Sequence, residues 1–166
     1  MAEFILSSSA FADGEYLALE QVVNEEVGFG CAGGNVSPQL SWTDPPAGTK
    51  SLALTVFDPD APTGSGFWHW LALNLPTDLR ELPAGAGTPG GAMPEGCVQA
   101  RNDFGFAGYG GPCPPQGDHP HRYLFTLYAV SEEALPVTGE TPCAVMGFQL
   151  NFNHVAKATL MGLYKR

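Results

Sequence analysis

Two apolar runs separated by a short proline-rich segment constrain the fold of this chain more than any other feature. The first run, Leu52–Phe57, has the length of a strand, and the second, Phe67–Leu75, is apolar on both faces, which is typical of a central strand. Between them, Asp58-Pro59-Asp60-Ala61-Pro62 holds two carboxylates among two prolines. Each proline fixes its own φ and keeps the preceding residue out of the helical region. The pattern predicts Asp58 at a strand end and Asp60 in a rigid corner.

A second stretch, residues 108–123, brings further polar side chains to the start of another strand. His69 lies just inside the return strand of the first stretch, so it should share one rim of a sheet with the two aspartates. The glycines and prolines of residues 108–120 predict a shaped loop with exposed backbone N–H groups, an arrangement that can bind anions. This loop leads through His121 into a predicted strand, Tyr123–Val130.

Composition limits the classes of protein to which the chain can belong. Its 166 residues suit one domain, and 21 Gly, 15 Pro and 14% charged residues favour a turn-rich β protein over a helical bundle. The net charge of −10 argues against nucleic-acid binding and against binding to anionic membranes. The N-terminus has no basic region and only a brief apolar run, which predicts neither a signal peptide nor a membrane span and therefore a cytoplasmic protein.

The remaining elements are predicted from local patterns. Thr141 and Pro142 resemble a helix start, and apolar residues at helical spacing extend the predicted helix to about Ala158, before a last strand at Thr159–Tyr164. That apolar stripe consists of Val145, Phe148, Phe152, Val155 and Ala156. The connection at residues 74–96 is proline-stiffened and apolar, and it should wrap a sheet edge or be buried in a homodimer. Its apolar residues are Leu75, Leu79, Leu82 and Met93.

The four cysteines show neither a CxxC pair nor zinc-ligand spacing. For a reducing cytoplasm, the prediction is that Cys31, Cys97, Cys113 and Cys143 are free thiols. His119 and His154 have no acidic or aromatic cluster beside them in sequence and are expected on a loop and on a helix face.

At its two informative stretches the chain resembles the phosphatidylethanolamine-binding protein (PEBP) family, which includes the Raf kinase inhibitor proteins. The matching motifs are Asp-Pro-Asp-Ala-Pro at 58–62, the Trp/His segment at 67–70, and Gly-Pro-Cys-Pro-Pro followed by His-Arg-Tyr within 111–123. The cysteine-bearing motif and the C-terminal sequence look most like the bacterial and archaeal branch. The resemblance implies a mostly β fold, a sandwich of two antiparallel sheets with Greek-key connections and one or two short helices near the C-terminus.

The same resemblance implies a small pocket for phosphate, acetate or a phospho-headgroup. Carried over position by position, its lining is Asp58, Asp60, Ala61, Pro62, His69, Cys113, His121 and Tyr123. It also implies that the loop bearing Cys31 lies near Cys113, so that a reversible disulfide between them is conceivable. The family's regulatory members suggest a modulator of a kinase or a protease, and no cofactor is implied.

Four interpretations of the polar residues remain open at this point. In the simplest, a hydrogen-bonded Asp–His cluster braces two loops and binds no specific ligand. Because carboxylates repel phosphate, an anion pocket would need one aspartate to hold His69 or His121 as the cationic donor. Alternatively, Asp58, Asp60, His69 and His121 could be mixed oxygen and nitrogen ligands of a metal. A hydrolase would use Cys113 as nucleophile, His121 or His69 as base and Asp58 to orient that base.

Overall fold

The computed structural model describes residues 2–166 and contains two β-sheets and one α-helix. A three-stranded sheet has the order β1-β3-β6, and a six-stranded sheet has the order β2-β9-β8-β4-β5-β7. The strands are β1 (Leu6–Ser7), β2 (Glu15–Tyr16), β3 (Leu40–Trp42), β4 (Ser51–Asp58), β5 (Phe67–Leu75), β6 (Glu81–Leu82), β7 (Val98–Gln99), β8 (His121–Val130) and β9 (His154–Tyr164). The helix α1 spans Cys143–Phe152, and two short 3₁₀ helices lie at Leu19–Gln21 and Glu25–Val27.

The predicted sandwich of two antiparallel sheets is confirmed, with one exception in the pairing. The short strand β2 runs parallel to β9, whereas the other paired strands are antiparallel. In the larger sheet, β8 returns to lie beside β4, which gives the spatial order β8-β4-β5-β7 of a Greek key. β4 and β5 are therefore both interior strands with a neighbour on each side, as the apolar run of β5 predicts.

At β4 and β5 the six-stranded sheet is buried on both faces, and the alternation of side chains along these strands divides them between two cores. Leu54 and Trp70 point into the space between the two sheets, where they pack with Trp42 of β3. Ala53 and Leu71 point to the opposite face, where α1 covers the sheet. Successive residues thus pack into different cores, which explains why neither strand has a polar face.

The predicted helix is wrong at its end and in the face that it buries. Residues 154–158 belong to β9, where Ala156 lies opposite Ala129 of β8, because antiparallel pairing with a ten-residue strand outweighs local helical spacing. Phe148 and Phe152 of the predicted core stripe are 62% and 75% exposed, whereas the buried side of α1 is formed by Cys143, Met146 and Leu150. The helix has apolar residues on both sides, so spacing alone did not distinguish them.

The connection at residues 76–97 crosses from the larger sheet to the smaller one. It contributes β6, which pairs with β3 at the edge of the three-stranded sheet. Leu75 and Leu82 are fully buried, and Leu79 and Met93 pack against the same core. The apolar residues of this connection thus contribute to the core of one chain, and the homodimer stays a prediction. No helix within residues 2–166 has the length and apolar content that crossing a membrane requires.

Candidate functional site

A cavity of about 150 Å³ opens where the end of β4 meets the starts of β5 and β8. Asp58 is the last residue of β4 and lies opposite Phe67, the first residue of β5. His121 is the first residue of β8, on the other side of β4. Antiparallel neighbours bring a strand's end beside its neighbour's start, so the two stretches that stood out in the sequence meet at this rim.

The buried ring of His121 lies between two carboxylates. Its Nδ1 atom is 2.7 Å from Oδ2 of Asp58, and its Nε2 atom is 2.8 Å from Oδ2 of Asp118. Burial disfavours the charged ring, but the hydrogen bonds to Asp118 and Asp58 outweigh it, so the pKa of His121 is raised above its ordinary value. In the imidazolium form both nitrogens donate, one to a buried carboxylate and one to a carboxylate on the preceding loop.

His69, by contrast, is held as a neutral ring. Its Nδ1 atom lies 2.7 Å from the carbonyl oxygen of Gly110, which can only accept, so Nδ1 carries the proton. Burial lowers the pKa of His69 below its ordinary value because the charged form would lose its hydration. The rings of Phe67, Phe104 and Tyr123 lie 4.9, 5.5 and 5.2 Å from it, centroid to centroid. Nε2 of this tautomer is an acceptor, so His69 is not the cationic donor.

The backbone N–H groups of Gly110 and Gly111, in the loop that holds His69, already donate hydrogen bonds within the protein. Gly110 donates its N–H to the carbonyl of His69, and Gly111 donates its N–H to Oδ1 of Asn35. A β-carbon on Gly111 would stand 2.0 Å from the carbonyl oxygen of Gln21, so only glycine fits there. The exposed N–H groups expected of this loop are thus already paired at these two residues.

Tyr123 supplies a neutral donor to the cavity. Its side chain is 1% exposed, and burial raises the pKa of its hydroxyl, with the nearby Asp58 carboxylate adding to the effect. The hydroxyl therefore stays protonated throughout the physiological range.

Asp60 lies outside the lining of the cavity. Both of its carboxylate oxygens accept hydrogen bonds from the guanidinium of Arg122, at 2.9 and 3.0 Å, and the backbone N–H of Arg122 donates to the same group. These bonds lower the pKa of Asp60 to about 2, against a smaller opposing effect of burial. Its backbone N–H donates to Oδ1 of Asp58, so Asp60 braces the corner on which Asp58 stands.

A disulfide joins Cys31 to Cys113, so the prediction that these two cysteines are free thiols is wrong and the pairing suggested by the family resemblance is present. Cys97 and Cys143 are free. The bond ties the glycine-rich loop that carries Phe29 to the cavity wall, where Phe29 and Cys113 both line the space. A cysteine in a disulfide has no thiolate, so the hydrolase interpretation loses its nucleophile in this form of the protein.

The structure brings most of the predicted site residues together. Asp58, Ala61, Pro62, His69, Cys113, His121 and Tyr123 line the cavity. Sequence reasoning did not find the other lining residues, Phe29, Thr63, Phe67, Phe104, Pro114 and Pro115, nor Asp118. Two signals were available: Phe29 and Phe104 are aromatic residues placed beside glycines in loops, where a core role is unusual, and Asp118 precedes His121 by three residues.

The metal ligand set that was the alternative interpretation of the sequence is not assembled. Asp60 is paired with Arg122, and Nδ1 of His69 is bonded to a carbonyl. Within residues 2–166, the one group of three or more candidate ligands with atoms within 4.8 Å of one another is Asp118, His119 and His121. Only His121 is common to the two sets.

Comparison with known proteins gives a consistent result over nearly the whole chain. The model of the family described as "phosphatidylethanolamine-binding protein" matches residues 7–165. The UPF0098 protein YbcL of Escherichia coli is 48% identical over 165 residues, which cover 99% of this chain and 88% of that protein. The UPF0098 protein YbhB of the same organism is 46% identical over 159 residues, 96% of this chain and 98% of that protein.

Solved structures show the same relationship. The crystal structure of E. coli YbcL superposes with a TM-score of 0.94 and covers 99% of both chains. The structure of a PEBP homologue, CT736, from Chlamydia trachomatis superposes with a TM-score of 0.79 at 31% identity, over 98% of this chain and 97% of that one.

Proposed function

The chain belongs to the phosphatidylethanolamine-binding protein family, and we propose that its cavity binds a small phosphorylated or other oxyanionic group. The observation that carries this proposal is the contact between His121 Nε2 and Asp118 Oδ2 at 2.8 Å. A buried cationic donor at the cavity wall already holds one oxyanion, the carboxylate of its own loop. A phosphate oxygen from a ligand can take the place of that carboxylate.

The other polar groups of the cavity suit the remaining atoms of such a ligand. The hydroxyl of Tyr123 donates to a second phosphate oxygen, and Nε2 of His69 accepts from a protonated one. Asp58 keeps His121 charged and oriented, at the cost of adding a negative charge to the wall. A singly charged phosphate ester or a zwitterion such as phosphoethanolamine is therefore favoured over a fully ionised dianion, because the global charge of −10 also opposes anions.

The size and lining of the cavity suit a headgroup. About 150 Å³ accommodates a phosphate with a short substituent, and the aromatic and proline side chains provide apolar contacts for that substituent. That the chain modulates a kinase or a protease stays a prediction from its family, and its cytoplasmic location stays a prediction from its N-terminal sequence. The disulfide counts against the latter, since such bonds persist mainly in oxidising compartments.

Calorimetric titration with phosphoethanolamine and with inorganic phosphate tests the proposal. We expect saturable 1:1 binding, and we expect Tyr123→Phe to weaken it roughly 5- to 10-fold, the loss of one hydrogen bond of about 1–1.5 kcal/mol. Tyr16→Phe removes an exposed hydroxyl outside the lining and serves as the matched control. No binding at millimolar ligand, or equal weakening in both variants, would contradict the proposal.

A further inference from the structure

We infer that Asp118, His119 and His121 form a site for a divalent transition-metal ion, of which Zn²⁺ is the representative. The three residues lie within one four-residue segment that ends at the first residue of β8. Their candidate ligand atoms are all within 4.8 Å of one another. This ligand set differs from the one that the sequence suggested, and the inference does not depend on phosphate binding.

Both histidine rings have the orientation of metal-ligating histidines. In protein metal sites, the ring nitrogen that does not bind the metal usually donates to a carboxylate or a backbone carbonyl. Nδ1 of His121 is 2.7 Å from the carboxylate of Asp58, and Nδ1 of His119 is 2.9 Å from the carbonyl oxygen of Pro120. In both rings Nε2 is therefore the nitrogen that remains for a metal.

The carboxylate of Asp118 lies between the two Nε2 atoms. One of its oxygens is 2.8 Å from Nε2 of His121 and the other is 3.8 Å from Nε2 of His119. With metal–ligand bonds of about 2.0–2.2 Å, neighbouring ligand atoms stand roughly 3–3.5 Å apart. When a metal ion binds, the 2.8 Å distance from Asp118 to His121 must widen slightly and the 3.8 Å distance from Asp118 to His119 must shorten slightly. The ion also displaces the proton on Nε2 of His121 into solvent.

The surroundings of the segment permit these adjustments. The side chain of His119 is 63% exposed and that of Asp118 is 32% exposed, so an ion can arrive from solvent and both side chains can move toward it. His121 is buried and held by Asp58, which provides one fixed ligand. Three protein ligands leave at least one position for water, as in catalytic rather than structural zinc sites.

Donor chemistry selects the class of metal. Two imidazole nitrogens with one carboxylate suit Zn²⁺ and its transition-metal neighbours, whereas Mg²⁺ and Ca²⁺ prefer oxygen ligands alone. The free cysteines are poor competitors, because burial raises the pKa of Cys97 to about 12 and burial, with the nearby Asp103 charge, raises that of Cys143 to about 11. Their thiolates, the forms that bind metal, are thus scarce near neutral pH.

Equilibrium dialysis of the full chain against Zn²⁺, in phosphate-free buffer and with the disulfide intact, tests the inference. We expect one ion per chain, and at least 10-fold weaker binding in His119→Gln and in Asp118→Asn. Both residues are solvent-accessible, so the variants should fold; far-UV circular dichroism checks this. His154→Gln, which changes a histidine on β9, is the matched control and should bind as the wild type does.

Absorption spectroscopy with Co²⁺ gives an independent measurement. Bound Co²⁺ should show d–d bands of nitrogen and oxygen ligation without the thiolate-to-cobalt charge-transfer band. The inference is overturned if wild type binds no Zn²⁺ at millimolar concentration, if His119→Gln binds it as tightly as His154→Gln, or if the cobalt spectrum is that of a thiolate site.

Discussion

Nε2 of the fully buried His121 lies 2.8 Å from a carboxylate oxygen of Asp118, a residue of the loop that immediately precedes its strand. The contact lowers the pKa of Asp118, since the hydrogen bond from His121 favours its charged form. Within the proposed function, this carboxylate competes with the ligand for the same donor. The first prediction follows from that competition.

Replacing Asp118 with Asn should tighten phosphate binding about 5- to 10-fold, because a neutral amide competes for a cationic donor more weakly than a carboxylate by about 1 kcal/mol. The measurement is calorimetric titration of metal-free protein at mildly acidic pH, because the variant loses the hydrogen bond to Asp118 that helps to raise the pKa of His121 and keeps only the one to Asp58. Asp44→Asn makes the same change of net charge at an exposed position paired with Arg80, and it should leave affinity unaltered. Equal affinity in wild type and Asp118→Asn would show that the contact does not oppose the ligand.

Reducing the Cys31–Cys113 bond should destabilise the protein. The bond closes a loop with a sequence separation of 82. A disulfide that closes a loop of this size contributes about 4 kcal/mol to the free energy of unfolding. For a chain of this length that corresponds to a fall in Tm of roughly 10 °C. Scanning calorimetry with and without dithiothreitol measures it.

Two variants serve as controls for this experiment. Cys31→Ala should reproduce the loss and make the protein insensitive to dithiothreitol, whereas Cys97→Ser should keep the wild-type response because Cys97 is not bonded. Iodoacetamide should not label Cys31 or Cys113 until the protein is reduced. Labelling of Cys113 in unreduced protein would contradict the assignment.

The ion pair between Asp60 and Arg122 should make the stability of the protein depend on pH in the acid range. Its pKa falls from 3.8 to about 2 on folding, so its contribution is complete above the unfolded value and is lost as pH falls from about 4 to 2. Because the Arg122 side chain is 51% exposed, solvent screening reduces the contribution of the ion pair to the free energy of unfolding to about 1–2 kcal/mol. Urea unfolding should show this difference for Asp60→Asn at neutral pH and almost none at the acid end of that window. Glu140→Gln, which breaks the exposed pair with Arg101, should cost less than about 0.5 kcal/mol.

Two substitutions on α1 distinguish its buried face from its exposed one. Met146 is fully buried, so Met146→Ala should lower the free energy of unfolding by about 2–4 kcal/mol. Phe148, two residues further on, is 62% exposed, and Phe148→Ala should change it by less than about 1 kcal/mol. Chemical denaturation of the two variants provides the comparison, and a larger loss at Phe148 would favour the helical stripe predicted from spacing.

Local chemistry in the sequence was sufficient to predict the central strands and the rim of the site. The observed bounds of β5, Phe67–Leu75, match the predicted run. The observed β4, Ser51–Asp58, is longer than its predicted run, Leu52–Phe57, by one residue at each end. Long apolar runs bounded by proline and glycine have few alternatives, since a strand buried on both faces must be apolar throughout. The motifs at 58–62, 67–70 and 111–123 likewise sufficed to predict the family and seven of the 13 residues that line the cavity.

Tertiary structure alone decided which groups became partners. Both Asp58 and Asp60 are acidic residues beside prolines, yet one is held by buried His121 and the other by exposed Arg122, because these two partners are successive residues of β8 and point to opposite faces of the sheet. The end of α1 depended on pairing with β8, and the Cys31–Cys113 bond depended on two loops meeting across 82 positions. Such outcomes depend on strand register and on contacts between distant segments, whereas sequence patterns report only on neighbours a few residues apart.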